Sequence, residues 1–205
     1  MKYIEIQQIL EKLEIFSTND LRKIDSNFEK KKIYLWKKNW LIKSIYRWYY
    51  ILEKQKIDKL FLYKIANKIY YPSYISLESA LNYYKIIPEA VYTITSITTK
   101  KTNNVENELS NFSYRSIKKE LFFWYKVEII NNNKFFIAEL EKTLLDFFYL
   151  NKNINDEADF EWLRLNFELL RKNLDRNKIE KYLKVFNKNN LNKKIEILFN
   201  LIDKW

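Results

Sequence analysis

The fold of this chain is decided by the stretch FSTNDLRKIDSNFEKKKIYLWKKNWLIKSIYRWYYI, residues 16–51. Its pattern predicts a short helix, a turn, a lysine-rich helix and then two short strands joined by a tight turn. Residues 17–20 all favour helix starts, and Thr18 is the expected N-cap of the short helix. The turn falls on residues 25–27, and an amphipathic segment at residues 3–14 adds one more helix in front.

Positive charge is concentrated in the lysine-rich helix and the strand pair. Residues 28–50 hold seven cationic side chains and one acidic side chain, Glu29. A basic helix followed by a basic hairpin is the electrostatic pattern of a winged helix-turn-helix on DNA. The sequence therefore predicts a DNA-binding domain over residues 1–55, with the candidate contacts Asn27, Lys30, Lys31, Tyr34, Lys37, Lys38, Lys43 and Arg47.

Helical spacing separates an inward face of the basic helix from an outward one. The side chains expected to face the core are Phe28, Ile33, Trp36 and Trp40. Lys30, Tyr34 and Lys38 recur every four residues, so they line one exposed stripe. Asn27, Lys31 and Tyr34 are the predicted contacts to base edges. A plain solvent-exposed face is the alternative for a lone charged helix, but the flanking helix-turn and strands favour DNA binding.

The strand pair is expected to alternate between two faces. One face carries Ile42, Ser44 and Tyr46, and the other carries Lys43, Ile45 and Arg47. On this pattern Lys43 and Arg47 reach the phosphate backbone or the minor groove beside the helix. Phosphate contacts of this kind give affinity and salt dependence rather than sequence choice.

Composition excludes several kinds of chemistry. The chain has neither cysteine nor histidine, which removes disulfides, thiol nucleophiles, imidazole bases and zinc sites built from those ligands. Glycine is absent from all 205 residues, so glycine-rich phosphate loops are excluded and turns fall to asparagine and aspartate. No cofactor and no metal site are expected.

Net charge and hydropathy bear on partners and location. The net charge of +11 indicates an anionic partner, although AT-rich coding by itself enriches lysine and asparagine. No apolar run approaches the roughly 18 residues that cross a bilayer. The N-terminus also lacks the pattern of a signal peptide. We therefore expect no membrane association and a cytoplasmic location.

The remainder of the chain, residues 56–205, predicts a second domain and makes the protein α+β. A region of about residues 56–150 is expected to hold a small antiparallel sheet, with strands at residues 91–99, 111–117 and 121–130. Its helices are expected at residues 57–69, 76–84 and 138–150. A helical tail over residues 151–205 is expected to hold three helices, at about residues 158–173, 177–188 and 191–203.

Three blocks of the second domain resemble the AbiEi family: YPSYISLESALNYYKIIPEAVYTITSITTKKT at residues 71–102, NFSYRSIKKELFFWY at 111–125 and IAELEKTLLDFFYL at 137–150. The family consists of antitoxins of AbiE-type (type IV) toxin–antitoxin systems, which belong to abortive infection and phage defence. Its members join an N-terminal winged helix-turn-helix to a C-terminal antitoxin domain. The resemblance covers most of residues 5–150.

The resemblance implies a transcriptional regulator that also neutralises a toxin. Its partners are then double-stranded DNA, as inverted repeats in its own promoter, and a cognate nucleotidyltransferase-like toxin. A stand-alone winged-helix regulator, whose second domain senses a ligand or dimerises, is the alternative. A toxin gene beside this one separates the two hypotheses.

The chain departs from the family where relatives tend to have glycine, at Trp40, Trp48, Lys85 and Trp124. Glycine to tryptophan is the largest possible change in side-chain size, and it disturbs any turn with positive φ. Our hypothesis is that the three tryptophans are encoded by UGA codons that the host reads as glycine. Lys85 shows that ordinary substitution has also removed a family glycine.

A metal-dependent nuclease is the remaining hypothesis, with Glu139, Glu141 and Asp146 as its carboxylates. Acids near a helix start usually serve the helix dipole, and Asp146 follows Glu141 by five residues, so the two do not share a face. We therefore do not expect an enzyme.

Overall fold

The computed structural model describes residues 3–204, so residues 1, 2 and 205 at the ends of the predicted domains lie outside it. The α-helices are α1 (Tyr3–Leu13), α2 (Thr18–Ile24), α3 (Lys31–Lys38), α4 (Lys59–Ile69), α5 (Leu77–Tyr83), α6 (Leu140–Leu150), α7 (Glu157–Trp162), α8 (Phe167–Asn173), α9 (Arg176–Phe186) and α10 (Asn189–Lys204). The strands are β1 (Ile15–Ser17), β2 (Ile42–Tyr46), β3 (Tyr49–Leu52), β4 (Ser73–Ile75), β5 (Thr93–Thr98), β6 (Asn103–Glu106), β7 (Asn111–Ser116), β8 (Tyr125–Ile130) and β9 (Asn133–Ala138).

Residues 3–52, here called the N-terminal unit, combine α1, α2 and α3 with a three-stranded antiparallel sheet. The strand order is β1-β3-β2, so β3 is paired on both sides. Helices and sheet enclose one hydrophobic cluster, whose buried members are Ile6, Leu10, Phe16, Leu21, Phe28, Ile33, Trp36, Ile42, Tyr50 and Leu52. The predicted order of helices and strand pair is confirmed. The short strand β1, which completes the sheet, was missed.

The start of α2 shows why the chain turns sharply after β1. Ser17 caps the helix: its hydroxyl accepts from the Asp20 N–H, and the Asp20 carboxylate accepts from the Ser17 N–H. This reciprocal arrangement is a capping box, which satisfies two backbone donors at the helix start. The sequence prediction of Thr18 as the N-cap was wrong by one residue, because Ser17 also ends the strand and so already has extended backbone.

The sheet of the second region is six-stranded and mixed, with the order β6-β7-β5-β4-β9-β8. Two of its pairs, β5 with β7 and β4 with β9, are parallel. The prediction of a small antiparallel sheet in this region is therefore wrong. Two parallel neighbouring strands need a crossover connection between them. Between β5 and β7 this connection contains strand β6 and no helix.

Helices cover both faces of this sheet. α4 lies on one face, where Phe61 and Ile65 join the same cluster as Phe112 and Ile137. α5, α6 and the helices after residue 150 cover the other face, and they share a second large cluster with Tyr74, Ile97 and Ala138. Successive residues of β4, Tyr74 and Ile75, belong to opposite clusters, as the alternation of a strand requires.

The N-terminal unit packs against the second region through a shared hydrophobic cluster. Ile15, Ile45 and Ile51 belong to the cluster that contains α4 and the six-stranded sheet. The side-chain amide of Asn107, in the turn between β6 and β7, donates to the Ile45 carbonyl over 2.6 Å. Lys64 of α4 also forms an ion pair with Glu14. The back of the small sheet is therefore held by α4 and by the β6–β7 turn.

The C-terminal tail divides into four helices, α7 to α10, where three were predicted. The expected helix over residues 158–173 is interrupted because Arg164 has a left-handed backbone, with φ of 48°. Asn166 then starts α8 by accepting from the Leu169 N–H. Among residues 3–204, no helix combines the length and apolar character needed to cross a membrane.

Candidate nucleic-acid interface

The position of α3 is fixed by two buried side chains three residues apart. Trp36 lies between Tyr3 of α1 and Phe28, with ring centroids 5.5 Å from each. Ile33, one turn earlier on the same face, is also buried. Large aromatic side chains contribute several kcal/mol when buried, about 3–5 kcal/mol on truncation. The inward face predicted for Phe28, Ile33 and Trp36 is confirmed.

The opposite side of α3 is exposed and basic. Lys30, Lys31, Lys37 and Lys38 are all solvent-exposed, and Tyr34 between them has 69% of its surface exposed. Because Ile33 and Trp36 hold the other side in the core, these five side chains share one face. The structure therefore brings together Lys30, the N-cap residue of α3, and the four α3 residues that the sequence singles out.

Trp40 was expected in the core, and this prediction is wrong. Its side chain is 78% exposed, and its backbone is left-handed with φ of 53°. The residue follows the C-terminus of α3, where the chain reverses into β2, so a continued helical spacing no longer applies. Left-handed backbone after a helix is the position that glycine occupies most often.

One carboxylate reduces the positive charge on the exposed side of α3. Glu29 lies 2.5 Å from the Lys31 ammonium, and this hydrogen bond lowers the pKa of Glu29. The side chains of Lys30, Lys37 and Lys38 have no hydrogen bond or ion pair to any residue in the 3–204 range. Their charges are therefore available to an external anion, whereas Lys31 must first leave Glu29.

The hairpin after α3 does not alternate as expected. The pairing of β2 with β3 shifts register between Ser44 and Tyr46, which marks a bulge at Ile45. As a result Ile42 and Ile45 are both buried, although they were assigned to opposite faces. A bulge places an extra residue in one strand and reverses the faces beyond it. The turn itself contains only Arg47 and Trp48.

Lys43 and Arg47, the two predicted hairpin contacts, have different surroundings. The Lys43 ammonium donates to the Glu53 carbonyl over 3.3 Å and lies 3.5 Å from its carboxylate. Arg47 is exposed, and its guanidinium lies over the rings of Tyr46 and Trp48, at 5.0 and 5.7 Å. Lys43 is therefore engaged with the end of β3, while Arg47 occupies the hairpin tip.

Asn27 lies in the turn between α2 and α3. Its side chain is exposed, and its backbone N–H donates to the Asp25 carboxylate over 3.0 Å. This local hydrogen bond closes the turn in the manner of an Asx-turn. Asn27 therefore lies in the turn that precedes the basic face, and this hydrogen bond fixes its backbone.

The second region contains a buried polar cluster that joins β4 and the start of α5 to α6. The Tyr74 hydroxyl donates to Asp146 over 2.9 Å, and the Ser76 hydroxyl donates to it over 3.0 Å. Asp146 lies on α6 and forms an ion pair with Lys142, one turn earlier on that helix, and both side chains are fully buried. Burial raises the pKa of Asp146 and lowers the pKa of Lys142, and their mutual attraction opposes both shifts. No sequence signal joined Tyr74 and Ser76 to Asp146, because about seventy residues separate them.

The other carboxylates considered for a nuclease contact α9. Glu139 accepts from the Tyr182 hydroxyl over 2.7 Å and from Lys178 over 2.8 Å. Burial disfavours ionisation of Glu139, but these two donors outweigh it and lower its pKa. Glu141 accepts from the Asp175 N–H. In the described part of the chain, no three Asp or Glu residues are grouped to hold a metal ion.

Left-handed backbone occurs at three of the four positions where the sequence analysis expects glycine in relatives. The φ angles are 53° at Trp40, 60° at Lys85 and 49° at Trp124. In the hairpin turn the positive φ, 46°, falls on Arg47 instead of its neighbour Trp48. Trp124 is also crowded: its ring lies face to face with Tyr182 at a centroid distance of 3.3 Å. Aromatic pairs prefer offset arrangements with larger separations, about 4.5–7 Å.

Comparison with known proteins gives no assignment. No protein-family model matches the chain, and no curated protein sequence matches it.

Proposed function

We propose that the N-terminal unit is a winged helix-turn-helix that binds double-stranded DNA, within a DNA-binding domain of residues 1–55. We further propose that residues 56–205 form an antitoxin domain. On this proposal the protein acts in the cytoplasm as the antitoxin of a type IV toxin–antitoxin system. It represses its own promoter and neutralises a nucleotidyltransferase-like toxin encoded beside it.

The single observation that carries the DNA-binding half is the exposed basic face of α3. Lys30, Lys37 and Lys38 lie on a helix whose other side is buried, and they have no carboxylate partner in the described chain. The helix follows a tight turn after α2 and precedes a two-stranded hairpin, as in winged helix-turn-helix units. A rigid helix with unpaired cations is suited to phosphate contacts beside the major groove.

The energetic consequence is a strong dependence on salt. Each phosphate neutralised by a lysine releases condensed counterions, which changes the slope of log K against log[salt] by about 0.9. Three lysines and Arg47 thus contribute a slope of roughly 3–4 per protomer if each contacts one phosphate. Tyr34 is exposed on the same face as the α3 lysines, and Asn27 lies in the turn before it; a hydroxyl and an amide are suited to base edges.

Fluorescence anisotropy with the duplex upstream of this gene tests the DNA-binding half. We expect the charge reversal Lys37→Glu with Lys38→Glu to weaken binding by roughly a hundredfold near 0.1 M salt and to flatten the salt slope by about 2. The matched control is Lys172→Glu with Lys181→Glu, which makes the same charge change at exposed positions of α8 and α9. Equal affinity of the α3 variant and the wild type would overturn the proposal.

The toxin-neutralising half is supported by the family resemblance of residues 71–102, 111–125 and 137–150. In the structure these blocks supply β4, α5, β5, β7 and α6. The first and third of them contribute the side chains of the buried cluster around Asp146. The resemblance therefore involves residues that contact one another rather than scattered surface positions.

Co-expression tests the toxin-neutralising half. We expect the neighbouring gene to encode a nucleotidyltransferase-like protein that arrests growth when induced alone. Growth should recover when this chain is induced with it, including the variant with Lys37→Glu and Lys38→Glu, since neutralisation does not use the DNA-binding face. A neighbouring gene of another class would leave a stand-alone winged-helix regulator and contradict the antitoxin proposal.

A further inference from the structure

A cavity of about 750 Å³ lies in the second region, away from the residues assigned to DNA. It is bounded by the end of β7, the C-terminal turn of α6 and the first turns of α10. Its volume falls in the range of small-molecule sites, about 300–1,000 Å³. We call it the basic cavity, because of the side chains described next.

All charged side chains that line the basic cavity are positive: Arg115, Lys118, Lys152, Lys188 and Lys194. No aspartate or glutamate lines it. The first four make no side-chain hydrogen bond or ion pair with any residue between 3 and 204. Cations gathered in a concave site raise the local positive potential, because the low-dielectric walls focus the field. The cavity is therefore built to attract an anion.

Lys194 makes the cavity floor compatible with negative charge. Its ammonium is buried and donates to the Phe148 carbonyl over 3.1 Å and to the Asn151 carbonyl over 2.7 Å. These carbonyls form the C-terminal end of α6, which would otherwise repel an anion. Burial lowers the pKa of Lys194, and the attraction of Asp159 opposes that shift. An ammonium has three N–H donors, so two carbonyls leave one donor unassigned.

Part of the lining is apolar. Ile117, Phe148 and Leu191 are buried members of the main core and also line the cavity. Tyr149 and Leu150, at the end of α6, are only partly buried, so they are the apolar side chains that a ligand in the cavity can contact. A site with cations at one part and exposed apolar side chains at another fits a ligand that has both a charged and an apolar portion.

We propose that the basic cavity binds a nucleoside di- or triphosphate. The phosphates contact Arg115, Lys118, Lys152 and Lys188, and the base packs against the apolar lining. Arg115 supplies a planar fork of donors suited to phosphate oxygens, and the lysines supply point charges. This site does not depend on DNA binding by α3, and it gives the second region a ligand of defined chemistry.

Isothermal titration calorimetry of the full chain with ATP, GTP, CTP and UTP, one at a time, tests this proposal. We expect at least one of them to bind with a one-to-one stoichiometry. The variant with Lys152→Gln and Lys188→Gln should bind it at least about tenfold more weakly, since two charged contacts are removed. The control variant, Lys172→Gln with Lys181→Gln, loses the same charge at exposed positions outside the cavity and should bind within about twofold of the wild type.

Two further probes distinguish the sources of phosphate. Pyrophosphate should bind more weakly than the nucleotide, because it cannot use the apolar lining. A single-stranded DNA of twelve nucleotides should not displace the bound nucleoside triphosphate. The proposal would be overturned if no nucleoside triphosphate binds, or if the control variant is weakened as much as the cavity variant. It would also be overturned if the oligonucleotide binds and no nucleotide does. Both cavity substitutions are at exposed residues, and an unchanged melting temperature will show that the variant is folded.

Discussion

Lysine has opposite surroundings in the two parts of this molecule. On α3, Lys30, Lys37 and Lys38 extend into solvent and have no partner in the described chain. In the second region, Lys142 and Lys194 are buried, and each is held by oxygen atoms of neighbouring elements. The lysine ammonium therefore presents positive charge to the solvent in one part of the molecule. In the other part it connects packed helices and strands through hydrogen bonds.

This difference separates the lysines that stabilise the fold from those that we propose for DNA recognition. An exposed charge contributes little to the free energy of unfolding, about 0–1 kcal/mol even when it is paired. A buried charge that loses its partner costs far more, about 3–5 kcal/mol. Substitutions in the two parts should therefore separate effects on stability from effects on DNA affinity.

The largest effect is expected for Asp146→Ala. This substitution leaves the Lys142 ammonium buried without its counter-ion, and it removes the acceptor of the Tyr74 and Ser76 hydroxyls. We expect the free energy of unfolding to fall by about 3–5 kcal/mol, as measured by urea denaturation. The double variant Asp146→Leu with Lys142→Met removes both charges and should lose less than Asp146→Ala. A loss below about 1 kcal/mol for Asp146→Ala would contradict the buried ion pair.

The next effect concerns affinity without stability. The neutral substitutions Lys30→Gln, Lys37→Gln and Lys38→Gln together should weaken binding to the upstream duplex by about one to two orders of magnitude near 0.1 M salt. The free energy of unfolding should change by less than about 1 kcal/mol, since these side chains have no partner to lose. A loss of stability as large as that of Asp146→Ala would remove the contrast between the two parts of the molecule.

Much of the N-terminal unit follows from the sequence because its signals are local. The spacing of Phe28, Ile33 and Trp36 predicts which side of α3 is buried, and the lysines between them then face outward. The failures here also have local causes. The bulge at Ile45 reverses the faces of β2, and the left-handed backbone at Trp40 ends the helical spacing.

The second region was harder to predict because its pairings are long-range. Strand patterns locate β5 and β7, but nothing in them shows that the two are parallel or that β6 lies outside β7. The basic cavity brings together Arg115 of β7, Lys152 in the turn after α6 and Lys194 of α10, which are far apart in sequence. Periodicity reports which face of an element is buried, and it does not report which other element covers that face.

A smaller effect, on stability, is expected at the tryptophans that stand where the sequence analysis expects glycine. Trp40→Gly should raise the free energy of unfolding by about 1 kcal/mol relative to Trp40→Ala, because both remove an exposed ring and only glycine adopts φ of 53° freely. At Trp48, where φ is not positive, glycine should give no gain over alanine. Equal stabilities of the two Trp40 variants would show that the left-handed backbone is not costly there.

The hypothesis that the three tryptophans are encoded by UGA codons read as glycine can be tested by mass spectrometry. If Trp40, Trp48 and Trp124 are UGA codons read as glycine, then the intact mass of the protein isolated from its host will be lower than the printed sequence requires. Peptide mapping across the α3–β2 junction locates the difference. UGG codons at these positions would reject the hypothesis, and the left-handed tryptophans would then be true features of the chain.

The smallest effect is expected at Lys43, which is intermediate between the two kinds of lysine. Its side chain is 24% exposed and forms an ion pair with Glu53 at 3.5 Å. Lys43→Gln should lower the free energy of unfolding by about 0.5 kcal/mol and weaken DNA binding by less than about twofold. Lys37→Gln alone should do the reverse, with a larger loss of affinity and no measurable loss of stability. If Lys43→Gln weakens DNA binding as much as Lys37→Gln does, then Lys43 leaves Glu53 on the complex, and the hairpin contributes phosphate contacts as the sequence predicts.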